Sequence, residues 1–200
     1  SGILEADETS LPLQIAGAAS LLMGAFSFTL PNTPPPARGQ KKSLGEILGL
    51  DALKKLNDRS FIVFIISSFL ICIPLAVYYA YAPVFVNESS IENPAFKMSF
   101  GQMSEVVFIL ILPLLFPKLG IKKILLIGMG AWVLRYVLFS LGAPDTILWM
   151  IMGGIILHGI CYDFFFVAGF IYVDKKATND IRGQADGIVV FATYGLEMLI

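Results

Sequence analysis

Two carboxyl groups lie deep inside apolar stretches of this sequence. Asp163 stands near the middle of residues 146–173, and Glu105 about 11 residues into residues 94–117. If both stretches cross a membrane with level outer ends, the two acids differ in depth by roughly 7 Å. A carboxylate at that depth is costly and indicates a functional site. Because loss of water disfavours the charged form of a carboxyl group, such acids can take up and release a proton. The alternative is a neutral acid that only packs against a neighbouring helix.

Polar side chains accompany both acids. Gln102 is three residues before Glu105, and His158 is four residues before Tyr162; on helices, each pair shares a face. Amide, imidazole and hydroxyl groups beside a carboxyl group are suited to hydrogen bonding with a polar solute. For His158 and Gln102, plain packing between helices is the alternative. The single histidine has no Cys or His cluster around it, so the sequence predicts no metal site and no cofactor.

Arg135 is the only basic residue in the interior of a predicted apolar stretch, since Lys97, Lys122 and Lys123 lie near the ends of theirs. It is close enough to the outer end of its predicted helix to extend its guanidinium to the membrane surface, or it could counter an acid. We expect Arg135 to be a structural charge.

The composition indicates an all-α polytopic membrane protein. Of 200 residues, 56% are hydrophobic and only 14% are charged, whereas soluble domains carry roughly 25% charged residues. The charges are clustered, which leaves apolar runs longer than the roughly 20 residues that a membrane helix needs. The chain begins without Met and stops inside an apolar run, so we interpret it as a piece of a longer protein.

Prolines and charge clusters divide the sequence into elements. The Pro-rich basic segment 31–42 cannot continue a helix, and Ser43 with Glu46 forms a capping-box pattern. The pattern opens an amphipathic helix that we expect on the membrane surface; the alternative is a linker helix that packs on nothing. The predicted membrane spans are residues 11–30, 60–86, 94–117, 121–141, 146–173 and 185–200, with Glu197 inside the last.

Basic residues predict the orientation, because Lys and Arg concentrate in cytoplasmic loops. Loop 31–59 carries six of them, and residues 118–123 and 174–183 carry three each. On the opposite side only Lys97 is basic. We therefore expect the N-terminus outside and loop 31–59 in the cytoplasm.

Several segments resemble a known family, the bacterial nucleoside:proton symporters of the major facilitator superfamily. The resemblance lies in Leu119-Gly-Ile-Lys-Lys, Ala131-Trp-Val-Leu-Arg-Tyr-Val-Leu-Phe and Tyr162-Asp-Phe-Phe. It implies a fragment of a twelve-helix, two-bundle transporter. Residues 1–30 would hold an external segment and helix 6, the last helix of the N-terminal bundle. Residues 31–59 would be the cytoplasmic linker with its amphipathic helix, and residues 60–200 would be helices 7 to 11 of the C-terminal bundle, with helix 11 truncated.

The resemblance also implies roles for individual residues. Asp163 and Glu105 match the family's helix 10 and helix 8 acids, associated with proton coupling and substrate binding. Gln102 matches a helix 8 amide that contacts nucleoside. Tyr162 stands where the family has a phenylalanine and His158 where it has a tyrosine, both in the substrate site. On helix 7, Ala76 and Tyr79 stand where the family has two amides, which leaves Tyr79 as the candidate contact there.

The leading hypothesis is therefore a proton-coupled symporter that imports nucleosides or a related small polar solute by alternating access. Its partners would be that solute, protons and the lipid bilayer. One alternative is a major facilitator transporter of a sugar or nucleobase, and another is a non-transporting receptor or scaffold. An intramembrane aspartic protease needs a second acid that shares a proton, and no predicted span has a second Asp at its centre. We expect neither an enzyme nor a nucleic-acid-binding protein.

Overall fold

The computed structural model describes residues 9–33, 43–89, 91–143, 145 and 147–195, and its regular elements there are all helices. The chain divides after Lys42 into two compact units. The predicted features at residues 1–8, 34–42 and 196–200, including Glu197 and most of the Pro-rich segment, lie outside the described residues. The helices are α1 (Leu11–Ser27), α2 (Leu44–Ile47), α3 (Leu50–Lys55), α4 (Arg59–Glu88), α5 (Pro94–Gly142), α6 (Leu148–Lys176) and α7 (Arg182–Val190), and a π-helical segment (Phe191–Gly195) follows α7.

The first unit contains α1, a short apolar helix with no buried residue in its 17-residue length. Pro12 lies in its first turn, where a missing N–H costs no hydrogen bond. The Gln14 amide donates to Ser10 Oγ and the Ser20 hydroxyl to the Ala16 carbonyl, so these polar groups have partners close by in the chain. The rest of the exposed surface is mostly apolar, which suits contact with lipid or with other apolar helices.

The second unit contains three helices that are long and apolar enough to cross a membrane, namely α4, α5 and α6. The 49 residues of α5 correspond to about 74 Å of helix, whereas the apolar core of a bilayer is roughly 30 Å thick. The helix breaks at Gly120, whose φ of 71° and ψ of 160° are not helical. The break divides α5 into the limbs 94–119 and 121–142, close to the two spans that the sequence predicts.

The helix α6 is irregular at its centre. Its α-helical segment ends at Tyr162, a π-helical turn occupies Asp163–Val167, and α-helix resumes at Ala168. Phe164, Phe165 and Phe166 are all buried. Because three successive helical residues point over about 200°, neighbours must lie on two sides of α6. Phe165 stacks on Phe64 of α4, and Phe164 packs with Leu112 and Ile124 of α5.

Small residues let α5 and α6 approach closely. A Cβ on Gly159 would lie 2.6 Å from the Ser104 carbonyl carbon. The Gly159 N–H donates a 3.0 Å hydrogen bond to Ser104 Oγ. Further along α6, a Cβ on Gly154 would lie 2.4 Å from the Phe139 ring. Gly159 contacts the first limb of α5 and Gly154 the second, so both limbs are held against α6.

The predicted amphipathic helix is two short helices rather than one. The capping box is confirmed, because Ser43 Oγ accepts from the Glu46 N–H and the Glu46 carboxylate accepts from the Ser43 N–H. Gly49 then adopts φ of 72°, which separates α2 from α3. A Cβ on Gly49 would lie 3.1 Å from the Ile188 side chain of α7. Ala52 and Leu56 pack into a protein core with Phe61 and other residues of α4, α6 and α7, so this segment does not lie wholly on a membrane surface.

Candidate functional site

A buried charge lies at the centre of the second unit. Arg135 is 0% exposed, and its Nη1 is 3.0 Å from His158 Nδ1. The other ring nitrogen, His158 Nε2, is 2.6 Å from Glu105 Oε1. These three side chains form a continuous polar connection, which we call the Arg–His–Glu bridge. It joins both limbs of α5 through α6.

The break at Gly120 explains why Arg135 and Glu105 meet at one level. The two residues stand equally far along the chain on either side of Gly120. When the limbs fold back on each other, equal spacing brings these residues to the same distance from the turn. His158 then enters between them from α6, held there by the close contact of Gly159 with Ser104.

Aromatic rings surround the buried guanidinium. The Arg135 Cζ atom lies 3.3 Å from the centroid of the Tyr78 ring and 5.3 Å from that of Trp132. Tyr78 also stacks on the His158 imidazole, with ring centroids 5.1 Å apart. Cation–π contact of this kind stabilises a positive charge that has lost water. The residues Tyr78 and Trp132 therefore help to hold Arg135 in an otherwise apolar core.

Asp163 lies next to this bridge along α6. It stands five residues after His158, about 7.5 Å further along the helix, which agrees with the small difference in depth that the sequence predicts for the two acids. Asp163 is 2% exposed. It also begins the π-helical turn, a feature frequently found at functional sites.

The other predicted solute contacts lie at the exposed edge of the same region. Tyr79 is half exposed, and its ring centroid is 6.3 Å from that of His158. Tyr162 is 5.9 Å from His158 between ring centroids, and its hydroxyl lies 2.5 Å from the Tyr194 hydroxyl. Gln102 is exposed, one turn before Glu105 on α5. The Glu105 side chain, 30% exposed, connects this edge to the buried bridge.

The surroundings of His158 and Arg135 differ from the sequence-based expectation. His158 is 1% exposed and both of its ring nitrogens contact protein groups, so it does not offer a free nitrogen to a solute. The guanidinium of Arg135 does not extend to the helix end. It lies over Tyr78 and reaches His158, which lies between it and Glu105. Of the two expectations for Arg135, the geometry favours the one in which it counters an acid.

The structure adds three residues that the sequence reasoning missed, namely Tyr78, Ser104 and Tyr194. Tyr78 belongs to a buried stripe on α4 that recurs at helical spacing, so periodicity alone could have placed it inside. Ser104 is a small residue at a close helix contact, a pattern that membrane helices favour. Nothing in the local sequence identifies Tyr194, because its role depends on the approach of the π-helical segment Phe191–Gly195, which follows α7, to Tyr162 of α6.

A cavity of about 590 Å³ lies away from this region, beside the break in α5 and the end of α6. The cavity is lined by neither the bridge nor Asp163. Its lining residues are Phe116, Pro117, Gly120, Ile121, Tyr172, Lys175 and Lys176.

No group of His, Cys, Asp and Glu in the described part of the chain could hold a metal ion.

Comparison with known proteins identifies the family. The family model of the nucleoside H⁺ symporters matches residues 1–200. The chain belongs to the nucleoside H⁺ symporter family. The resemblance drawn from the sequence is thereby confirmed, and the chain is a transporter-family protein rather than an enzyme.

Individual relatives agree with this assignment. The chain is 40% identical to the protein YegT of Escherichia coli (strain K12), and the match covers the whole of this chain and 47% of YegT. It is 32% identical to the xanthosine permease of the same organism, over 97% of this chain and 49% of the permease. A solved structure of the nucleoside transporter NupG, in an aspartate-to-alanine mutant, superposes with a TM-score of 0.77 at 28% identity. The superposition covers 98% of this chain and 52% of the NupG chain. The chain thus spans about half the length of the relatives it matches.

Proposed function

We propose that the full-length protein imports nucleosides, or a closely related polar solute, together with protons. The observation that carries this proposal is a pair of acids, Glu105 and Asp163, at neighbouring levels inside apolar helices of a nucleoside H⁺ symporter family chain. The xanthosine permease and NupG are relatives whose names specify nucleoside transport. Acids inside membrane helices serve as proton relays in pumps and transporters.

The two acids divide the work in this proposal. Asp163 carries the exchangeable proton, because it is 2% exposed and its Oδ2 has no hydrogen-bond partner in the described part of the chain. A carboxyl group in such surroundings is expensive to keep charged. Glu105 binds the solute and senses its presence, because it is part of the exposed edge while attached to His158.

Solute recognition falls to the exposed edge of the site. Gln102 offers an amide that can donate and accept, and Tyr162 offers a hydroxyl already paired with Tyr194. Tyr79, half exposed, offers a ring face on which a nucleobase can stack. His158 contributes to solute binding only through Glu105.

The remaining organisation is also proposed on the family. Residues 1–30 contain the last helix of an N-terminal bundle, residues 31–59 are the cytoplasmic linker, and residues 60–200 are the C-terminal bundle. The N-terminus of the chain lies outside, by the distribution of Lys and Arg. Transport proceeds by alternating access, in which one bundle rocks against the other around a site near the midplane.

The decisive test is Asp163→Asn in the full-length protein reconstituted in liposomes. We expect labelled nucleoside to accumulate in response to an inward proton gradient with the original protein. With Asp163→Asn, accumulation should disappear while exchange of internal for external nucleoside continues, because exchange needs no net proton movement. Asp145→Asn, at an exposed position, is the matched control and should behave like the original. Gradient-driven accumulation by Asp163→Asn would contradict the proposal.

The solute is tested in the same liposomes with a panel of labelled compounds. Xanthosine and other nucleosides should compete for uptake, whereas free nucleobases and sugars should not. Competition by a sugar or nucleobase alone would favour the alternative transporter, and binding without accumulation would favour a receptor.

A further inference from the structure

Arg135 is compensated in an indirect way. In the described part of the chain no carboxylate forms an ion pair with its guanidinium; its contacts include His158 Nδ1 and the rings of Tyr78, Trp132 and Phe139. A fully buried charge without compensation is strongly destabilising. The nearest negative charge along a continuous set of contacts is Glu105, on the far side of the imidazole. Compensation must therefore pass through His158.

The contacts assign the tautomer of His158. Arginine has only N–H donors and cannot accept, so His158 Nδ1 must accept from Arg135 Nη1. The ring proton then lies on Nε2 and donates to Glu105 Oε1 at 2.6 Å. A doubly protonated ring would direct an Nδ1–H at the guanidinium donors, 3.0 Å away. The bridge thus requires a neutral imidazole in one orientation.

We propose that His158 is a positioning residue whose neutral, Nε2-protonated ring transmits the charge of Arg135 to Glu105. The imidazole holds the Glu105 carboxylate at the edge of the site as a fixed negative charge, and it carries no proton across the membrane itself. The consequence for transport rests on the proposed function; the bridge itself rests only on the geometry. The other titratable groups around it are the hydroxyls of Tyr78 and Tyr79 on α4 and of Tyr136 on α5, and Cys161, Tyr162 and Asp163 on α6.

Two substitutions of His158 separate bridging from packing and from proton transfer. In His158→Gln the amide oxygen can accept from Arg135 and the amide N–H can donate to Glu105, and the side chain does not titrate. In His158→Phe a ring of similar size remains, but it has neither a donor nor an acceptor. The full-length protein in liposomes is the material for both.

The bridge predicts different transport by the two variants. His158→Phe should lower nucleoside uptake by about tenfold to a hundredfold, the value of a hydrogen bond to a charged group, and should change the pH profile of uptake. His158→Gln should stay within a few-fold of the original and keep its pH profile. Uptake by His158→Phe that matches the original would reduce His158 to packing and overturn the proposal. Equal loss in both variants would also overturn it, because the imidazole would then be needed for more than bridging.

Nuclear magnetic resonance of ¹⁵N-histidine provides a readout that needs no transport. The signal of His158 is assigned as the one that is absent from His158→Gln. It should be that of a neutral ring protonated on Nε2, and it should change in Arg135→Met, which removes the donor to Nδ1. A ring protonated on Nδ1, or a doubly protonated ring at neutral pH, would overturn the proposal. If the expected tautomer is found but no proton-dependent uptake occurs, the proposed function fails while the bridge stands.

Discussion

Two regions of this chain hold paired charged groups in opposite surroundings. In the Arg–His–Glu bridge, Arg135 and His158 are almost completely removed from solvent. At the end of the helices where α4 begins and α6 ends, charges pair in the open. The Arg182 and Asp174 side chains, for example, remain 44% and 53% exposed. We call this second set the end ion pairs; its other members are Lys176–Asp58 and Lys55–Asp180.

The comparison shows that burial, rather than residue type, decides how much a charged side chain contributes to stability. Water and salt screen the end ion pairs, so each contributes little to stability. Arg135 and His158 have lost their water, so contacts within the protein must replace it. Arg135 Nη1 and both ring nitrogens of His158 have protein partners, whereas Arg135 Nε and Nη2 have no hydrogen-bond partner in the described part of the chain and lie among aromatic rings. The paired atoms fix the relative positions of the three side chains, and a fixed geometry is what a binding or coupling site needs.

The largest expected difference in stability between the two regions comes from removing one guanidinium from each. Arg135→Met should destabilise the folded protein by about 3–5 kcal/mol, because Glu105 and His158 lose the partner that matches them. Arg182→Met, the matched change among the end ion pairs, should cost less than about 1 kcal/mol. Thermal unfolding of the detergent-purified full-length variants measures both. Equal shifts would mean that burial does not separate the two regions.

A smaller effect is expected where α5 and α6 are held together beside the bridge. Gly159→Ala places a methyl group 2.6 Å from the Ser104 carbonyl carbon, and the resulting shift should cost roughly 1–3 kcal/mol. Uptake should fall too, because Glu105 and His158 move apart. Gly130→Ala is the control, since nothing lies within 4 Å of its added Cβ. If Gly159→Ala unfolds at the same temperature as Gly130→Ala, the close contact does not position the bridge.

The smallest effect is a dependence of stability on pH from the end ion pairs. The hydrogen bonds from the Lys176 ammonium and the Phe61 N–H lower the pKa of Asp58 from 3.8 to about 2. Because the folded pKa is the lower one, the stabilisation is complete above about pH 4 and is lost as the pH falls through about 2. The difference in unfolding temperature between the original and Asp58→Asn should therefore shrink over this window.

The reciprocal variant Lys176→Met checks the cause of that dependence. Without its ammonium, most of the change between about pH 4 and 2 should disappear. Lys55 and Thr178 lower the pKa of Asp180 to about 2. Lys55→Met should therefore remove most of the pH dependence of stability that comes from Asp180. If the change in unfolding temperature between about pH 4 and 2 persists unchanged in Lys176→Met, it comes from the hydrogen bond of Asp58 to the Phe61 N–H at the start of α4 and not from the ion pair.

Much of the fold could be predicted from local features of the sequence. Apolar length gave the long helices, Pro94 marked the start of α5, and Ser43 with Glu46 marked the start of α2. The split between α2 and α3 was missed although Gly49 is a local signal for it, because glycine commonly ends a helix in the left-handed conformation that Gly49 adopts. The π-helical turn at Asp163, by contrast, gives no local signal, because it lies where α6 packs between neighbours.

The residues of the candidate site could be predicted from the sequence, but the contacts between them could not. A polar residue in an apolar run is conspicuous in the sequence, so Glu105, Asp163, His158 and Arg135 could all be identified. Their partners could not, because a contact between α5 and α6 depends on how helices pack and not on distance along the chain. His158 was expected to face a solute and is instead held between two protein groups.

The sequence by itself determined that this chain forms apolar helices with acids inside them, because apolar length and the cost of buried charge are local properties. The family also follows from the sequence, since the match extends over all 200 residues. Only the tertiary structure decided that Arg135 compensates Glu105 through His158. The fold-back at Gly120 and the close approach at Gly159 bring these three residues together, and both depend on contacts between distant parts of the chain.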